Sequence, residues 1–462
     1  MRRLVFVLAL ACVVHAQKAP RPREILDLVA LANAAPPEFA ADALIRIADS
    51  DKVADPAWKR ELLEQALSLA PSAQYKVKRP NVSGRSNGAE GFLSYAFEME
   101  MDTLSLQWRA IKAIYKIDPA RGRKLLRELP PLRLDPLGCG ESMIYDVSPF
   151  YEAVTEISRD QPLEFVEPFV TQINSHVQVE PVTHLIVSRK SNPRELERLT
   201  GEFTAALGQI DHDPRAFQFN LRSAEVLAQA LQNAGIPPQA FITAYGEYLE
   251  RHVSARQCHG STVRNVAPRN LTLMQEYARR DTPVVASLWE ILYKDREVQY
   301  DDEERPEQRF VETPESSKLM KSAFGLRNNS DGKPATDADK KGIEWQTRFQ
   351  DFRNALDEWK EQTEATPRNY FYQKCLVEMM MLEAVPRSDT ALRAVVVDGF
   401  TAFLASSPLR VASRIEWWRQ ARGTLENVPE AAASFARSQD AVMQLYVAMD
   451  RTLGVQKTVP PH

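Results

Sequence analysis

The sequence predicts an all-α protein: an irregular array of stacked helical hairpins, α-solenoid-like or α/α, with a smaller helical bundle towards the C-terminus. Three observations predict it. Only 17 of the 462 residues are glycine, against about 7% in an average chain, so positive-φ turns and strand corners are scarce. Prolines repeatedly follow a side chain with an oxygen acceptor. Large apolar residues recur at steps of three and four.

The chain opens with Arg2 and Arg3, an apolar run from Leu4 to Val14, and Val14-His15-Ala16. A charged start, a short apolar centre and small or apolar residues around a cleavage point are the three parts of a secretory signal peptide. Cleavage is expected after Ala16, giving an exported protein, periplasmic or secreted. The run is too short to span a bilayer, which needs about 20 apolar residues, and no later stretch approaches that length. A lipidated Cys12 is the variant that Ala9-Leu10-Ala11-Cys12 leaves open. Removing the signal takes away two of the 58 basic residues and none of the 62 acidic ones, moving the net charge from −4 to −6. An acidic balance excludes a broad nucleic-acid surface, which requires a basic excess.

Helix starts are read from Asp55-Pro56, Asp118-Pro119, Ser148-Pro149, Asn192-Pro193, Asp213-Pro214, Thr282-Pro283 and Ser407-Pro408. A capping oxygen accepts a bond from an orphan helix N–H, and proline at the first helical position has no N–H to leave unpaired. Phe97, Met101, Leu104, Trp108, Ile111 and Tyr115 are spaced to share one helix face. Trp58, Leu62, Ala66 and Leu69 form a second such series. Phe217, Leu221, Ala224, Ala228 and Leu231 form a third, and Trp345, Phe349, Phe352, Leu356 and Trp359 a fourth. The Val-rich segment from Val177 to Val187 is read as the place for a strand, unless Pro181 starts a helix there.

Ala66-Leu67-Ser68-Leu69-Ala70-Pro71 and Ile114-Tyr115-Lys116-Ile117-Asp118-Pro119 end alike, and each follows a tryptophan, Trp58 or Trp108. This resembles the closing helix of tetratricopeptide- and HEAT-like α-solenoid repeats. The resemblance covers about a quarter of the chain and lacks a regular 34-residue period, so it implies a helical array and no particular ligand.

The organisation expected is a signal peptide over 1–16, an N-terminal helical-hairpin region over 17–294, a charged linker or mobile insertion over 295–342, and a C-terminal helical bundle over 343–456. One short helix is expected inside the linker, from Ser316 to Phe324.

Motifs that carry chemistry are sparse. Aligning Gly332 with the sixth position of a calcium loop puts Arg327 first and Ala338 last, where carboxylates are required, so the acidic stretch reads as solvated linker. His176, Glu180 and His184 are spaced for one helix face and are the weak metal candidates, with Pro181 between them and no further ligand indicated. His252 continues the apolar face of Phe241, Tyr245 and Tyr248. Cys139 and Cys258 both sit in polar loops and are the disulfide candidates in an oxidising compartment, whereas Cys375 reads as buried packing. Cys258-His259 resembles the haem-attachment motif of c-type cytochromes but has Ala255 where the first cysteine belongs. No cofactor is therefore expected.

Glu98 and Asp102 read as the wet face of a helix. Trp417 and Trp418 are the binding candidates: helix neighbours lie about 100° apart, so one of them should face away from the core, unless the helix has a wide apolar face that takes both. The reading that follows is an exported scaffold with a protein partner in the cell envelope. The alternative is a periplasmic or secreted α/α enzyme acting on glycans.

Overall fold

The computed structural model describes residues 21–80, 89–137, 143–210, 221–254, 312–329, 332–360 and 367–454. Among them there is no β-strand, only an isolated bridge between Asn328 and Pro334. The N-terminal helices are α1 (Arg23–Ala34), α2 (Pro37–Asp49), α3 (Pro56–Leu69), α4 (Ala89–Phe97), α5 (Thr103–Ile117) and α6 (Pro119–Glu128). Next come α7 (Ser148–Ser158), α8 (Leu163–Thr171), α9 (Val179–Val187), α10 (Pro193–Leu207), α11 (Leu221–Asn233) and α12 (Gln239–Ser254). The C-terminal helices are α13 (Pro314–Leu326), α14 (Ile343–Glu358), α15 (Pro367–Ala384), α16 (Thr390–Ser406), α17 (Leu409–Ala412), α18 (Arg414–Leu425), α19 (Ala431–Arg437) and α20 (Ala441–Leu453).

Side-chain oxygens start many of these helices as the sequence implies. Asp55, Asp118 and Asn192 accept from the backbone N–H groups of Ala57, Arg121 and Glu195 at 2.9, 3.0 and 3.4 Å. At Ser148 the pattern differs: the serine already belongs to α7, and Asp146 accepts its N–H at 3.1 Å. The stretch expected as a linker holds α13 in its described part, opened by a reciprocal capping box between Thr313 and Ser316.

Two sequence expectations give way. The apolar series from Phe97 to Tyr115 is not one helix. It breaks after Phe97, passes Glu100 at φ 54°, and restarts where Asp102 caps α5. Asp102 is fully buried and accepts from Ser105 N–H at 3.1 Å, so the Glu98/Asp102 pair is a helix junction and not a wet face. At Val177–Val187 the strand gives way to the helix alternative: a short 3-10 turn, His176–Gln178, is followed by α9. Pro181 falls in the first turn of α9, where its missing N–H has no intrahelical partner to lose.

The N-terminal helices stack in two rows. Each of α3, α5, α7, α9 and α11 packs on the next, and α8, α10 and α12 do the same beside them, which is the array of hairpins expected. The C-terminal helices then return to the start of the array. α20 packs on α1 and α2, α18 packs on α4, and a continuous core runs from Ile25 to Met449.

Polar side chains fix this return. Asp42 on α2 is fully buried; its Oδ1 accepts from Arg109 at 2.8 Å, and its Oδ2 accepts from the Tyr446 hydroxyl at 2.8 Å and pairs with Arg46 at 2.7 Å. Burial alone would raise its carboxyl, but Arg46 and Arg109 outweigh it and hold the group below the ordinary carboxylate range. Glu38, also fully buried, takes Arg414 bidentately. Gln74 accepts from Arg414 N–H and donates to the Ala412 carbonyl, both at 2.8 Å, and Tyr75 meets Ser413 at 2.8 Å.

Two outcomes test this packing. Asp42→Asn leaves two guanidinium groups without their carboxylate and should cost about 3–5 kcal/mol in chemical denaturation at neutral pH. The depressed carboxyl means that this contribution is present at neutral pH and fades as pH falls through the acid range. Gly122 on α6 faces the α5 backbone so closely that a Cβ would lie 2.7 Å from Tyr115 Cα, whereas nothing lies within 4 Å of a Cβ at Gly201 on α10. Gly122→Ala should lower stability by about 1–3 kcal/mol, and Gly201→Ala should raise it by about 0.5–1 kcal/mol. Thermal melts of the two variants should shift in opposite directions.

Candidate functional site

Three clefts lie along and between the described helices. The first, about 410 Å³, sits at the seam between the array and the returning helices. It is edged by Trp108, Trp418 and Tyr446 and by charges of both signs, among them Arg46, Lys116, Glu98 and Glu426. Arg46 and Arg109 are committed to Asp42, and Lys112 to Glu156 at 2.7 Å. This cleft is therefore largely a by-product of the seam.

The second, about 950 Å³, runs along α15. Its apolar lining is Phe92 from α4, Met320 from α13, Leu376, Met379 and Leu382 from α15, and Val428. Leu376 is 51% exposed there, although α15 is otherwise built into the core. α15 is buried on most of its circumference and leaves this one side uncovered.

The third, about 620 Å³, is the groove between α13 and α14. Each helix presents the same pattern to it. Glu315, Lys318, Leu319, Ser322, Gly325 and Leu326 come from α13, and Arg348, Asp351, Phe352, Ala355, Glu358 and Trp359 from the other wall. Both series step by three, four and seven, which is one helix face apiece. The middle of the groove is made of small side chains, Ser322, Gly325 and Ala355, so a third helix can approach closely. Thus α13 is a wall of both larger grooves.

The inner side of α15 carries an unusual pair. Lys374 is buried and donates to the Leu356 and Trp359 carbonyls at 3.2 Å each and to the Tyr370 hydroxyl at 3.3 Å, closing the C-terminal end of α14. Its ammonium also lies 5.0 Å from the Phe403 ring. Burial lowers its proton affinity despite nearby Glu378 and Asp357. Glu378, one turn on and also buried, is pushed up to about 7 by burial, which Lys374 only partly offsets.

The residues singled out by sequence do not converge. His176 is buried on the 3-10 turn, whereas His184 and Glu180 are exposed on α9, so the three do not share a face. Among the described residues no group of three His, Cys, Asp or Glu side chains is placed to hold a metal ion. Cys139 and Cys258 lie outside the described residues, as do the signal peptide and the side chain of His252. Cys375 is a buried free cysteine.

Trp417 and Trp418 correct the expectation that one faces away from the core: each is 1% exposed. α18 is covered on two sides. Trp417 donates its indole N–H to the Leu404 carbonyl at 2.8 Å, and the Trp418 ring lies 4.8 Å from that of Tyr446. Among the described residues no helix is long and apolar enough to cross a membrane. The chain matches no protein-family model, no curated protein and no solved structure.

Glu378 sets a pH dependence. Its affinity for protons is higher in the folded chain, so it favours folding fully below its ordinary value near 4.5, and this contribution is lost as pH rises to about 7. Between pH 5 and 8 the loss should be on the order of 2–3 kcal/mol. Denaturation of Glu378→Gln should show that part of the slope removed, with the variant the more stable protein at pH 8.

Proposed function

We propose that this chain is an exported helical scaffold of the cell envelope that works by holding a protein partner, and that the partner's helix seats between α13 and α14. The observation that carries the reading is the pair of matched, uncovered helix faces around Ser322, Gly325 and Ala355. An amphipathic helix laid into such a groove would rest on Ser322, Gly325 and Ala355, with Leu319, Leu326, Phe352 and Trp359 already buried beneath them. The floor of small residues sets how deeply it sits.

The rim states what the helix should carry. Glu315, Asp351 and Glu358 have no ion-pair partner among the described residues, and Arg348 is turned to the Asn328 carbonyl at 3.4 Å. Lys318 is the remaining cation, so the excess is acidic and the complementary helix has a basic flank. Such charges steer association and make it sensitive to salt. The signal-like N-terminus supports an envelope location.

A photo-crosslinking amino acid at position 322 or 355 of the full chain, used in native envelope extracts, tests this. Both positions should capture the same helix of one partner, and a crosslinker on the exposed face of α10 should not. Ala355→Trp and Gly325→Leu fill the groove at positions open enough to leave the fold intact, and each should reduce capture about tenfold or more. Equal capture by the filled variants would refute the reading.

A further inference from the structure

The groove along α15 is separate from the helix-docking groove and asks for a different occupant. Its apolar lining on α15 and just beyond runs from Tyr372 to Val385, thirteen steps or about 20 Å at helical rise. A single extended hydrocarbon chain, which spans about half of a layer roughly 30 Å thick, can lie along that length with its head at one end.

The charges at the two ends differ. Arg327 pairs with Glu383, so the C-terminal ends of α13 and α15 lie together, and Glu312, ahead of α13, lies towards the opposite end. At the C-terminal end are Arg387, which has no ion-pair partner among the described residues, and Arg393, bound to Glu430 at 2.9 Å. The acidic side chain at this end, Glu383, is already held by Arg327. At the other end stand Phe92, Tyr372 and Glu312, with no cation among the lining residues. An anionic head therefore belongs beside Arg387, with its chain running past Leu382, Met379 and Leu376 towards Phe92. Methionines suit such a lining because their unbranched side chains adapt to a mobile chain.

We infer that this groove binds a single long-chain fatty acid, with the carboxylate at Arg387 and the alkyl chain along α15. The site is independent of the partner helix proposed above, and either holds without the other.

The experiment is native mass spectrometry and fluorescence titration of the delipidated full chain with palmitate, octanoate and phosphatidylglycerol vesicles. Palmitate should bind one to one and octanoate at least about tenfold more weakly, because each methylene left unburied forfeits about 0.8 kcal/mol. Arg387→Glu, on the surface, should weaken palmitate about tenfold or more. Leu376→Asp puts a carboxylate into the groove at a half-exposed position and should do the same while leaving the circular dichroism unchanged. Binding of vesicles without binding of monomeric palmitate would overturn the inference. So would the absence of uptake by the folded chain, or palmitate affinity indifferent to both variants.

Discussion

Everything in this fold depends on a buried carboxylate. Asp42 on α2 is fully enclosed and is neutralised by Arg46 from its own helix, Arg109 from α5 and the hydroxyl of Tyr446 from α20. A stack of hairpins has an exposed apolar end wherever it stops, and repeat proteins need a cap there. Here the end formed by α1 and α2 is capped by the last helix of the same chain. Apolar contact alone would let many helices fill that place. A charge that is costly to leave unpaired accepts only the segment that brings a hydroxyl to the right point. Glu38 and Arg414 impose the same demand at the next helix along.

That closure explains what happens to the two tryptophans. With α4 on one side and the C-terminal helices on the other, the two faces of α18 that carry the tryptophans are both covered. Trp417 then needs an acceptor for its N–H and finds the Leu404 carbonyl. Trp418 becomes part of an aromatic cluster with Phe435 and Tyr446. Residue type alone suggests a binding surface at this dipeptide; the number of neighbours, set by contacts hundreds of residues apart, makes it core.

The local rules were the legible part. Capping Asp55, Asp118 and Asn192, each followed by proline, located the starts of α3, α6 and α10, and the spacing of Trp345, Phe349, Phe352 and Leu356 located α14. Periodicity failed where it bridged two elements, because a junction such as 98–102 can keep apolar residues in step across a break. At Val177–Val187 β-branched composition left strand and helix both open, and the helix alternative at Pro181 is the one that forms, pinned from outside by α7, α10 and α11. The grooves left fainter marks. The apolar run of Phe371, Cys375, Met379 and Leu382 was visible as a buried helix, but Leu376 on the remaining side was the sign that α15 had more apolar surface than neighbours to cover it. The matching faces of α13 and α14 could be recognised only once the two helices were known to be paired.

The two grooves and the closure have a common physical origin. The return of α18 and α20 to the array uses their apolar faces on α1, α2 and α4, and leaves α13 to pack on α14 and on α15. Three helices can cover each other only in part, so the outer flank of α15 and the trough between α13 and α14 stay open. On the inner side the same helices hold a lysine and a glutamate in apolar surroundings, Lys374 tying the end of α14 and Glu378 held up near 7 by burial. The wall of the larger groove is thus less stable at higher pH than its apolar content suggests. A region with exposed apolar surface and a strained charge pair is where local opening is easiest. It is also where an incoming hydrocarbon or helix face gains most, because burying that surface supplies the packing that the chain's own helices do not.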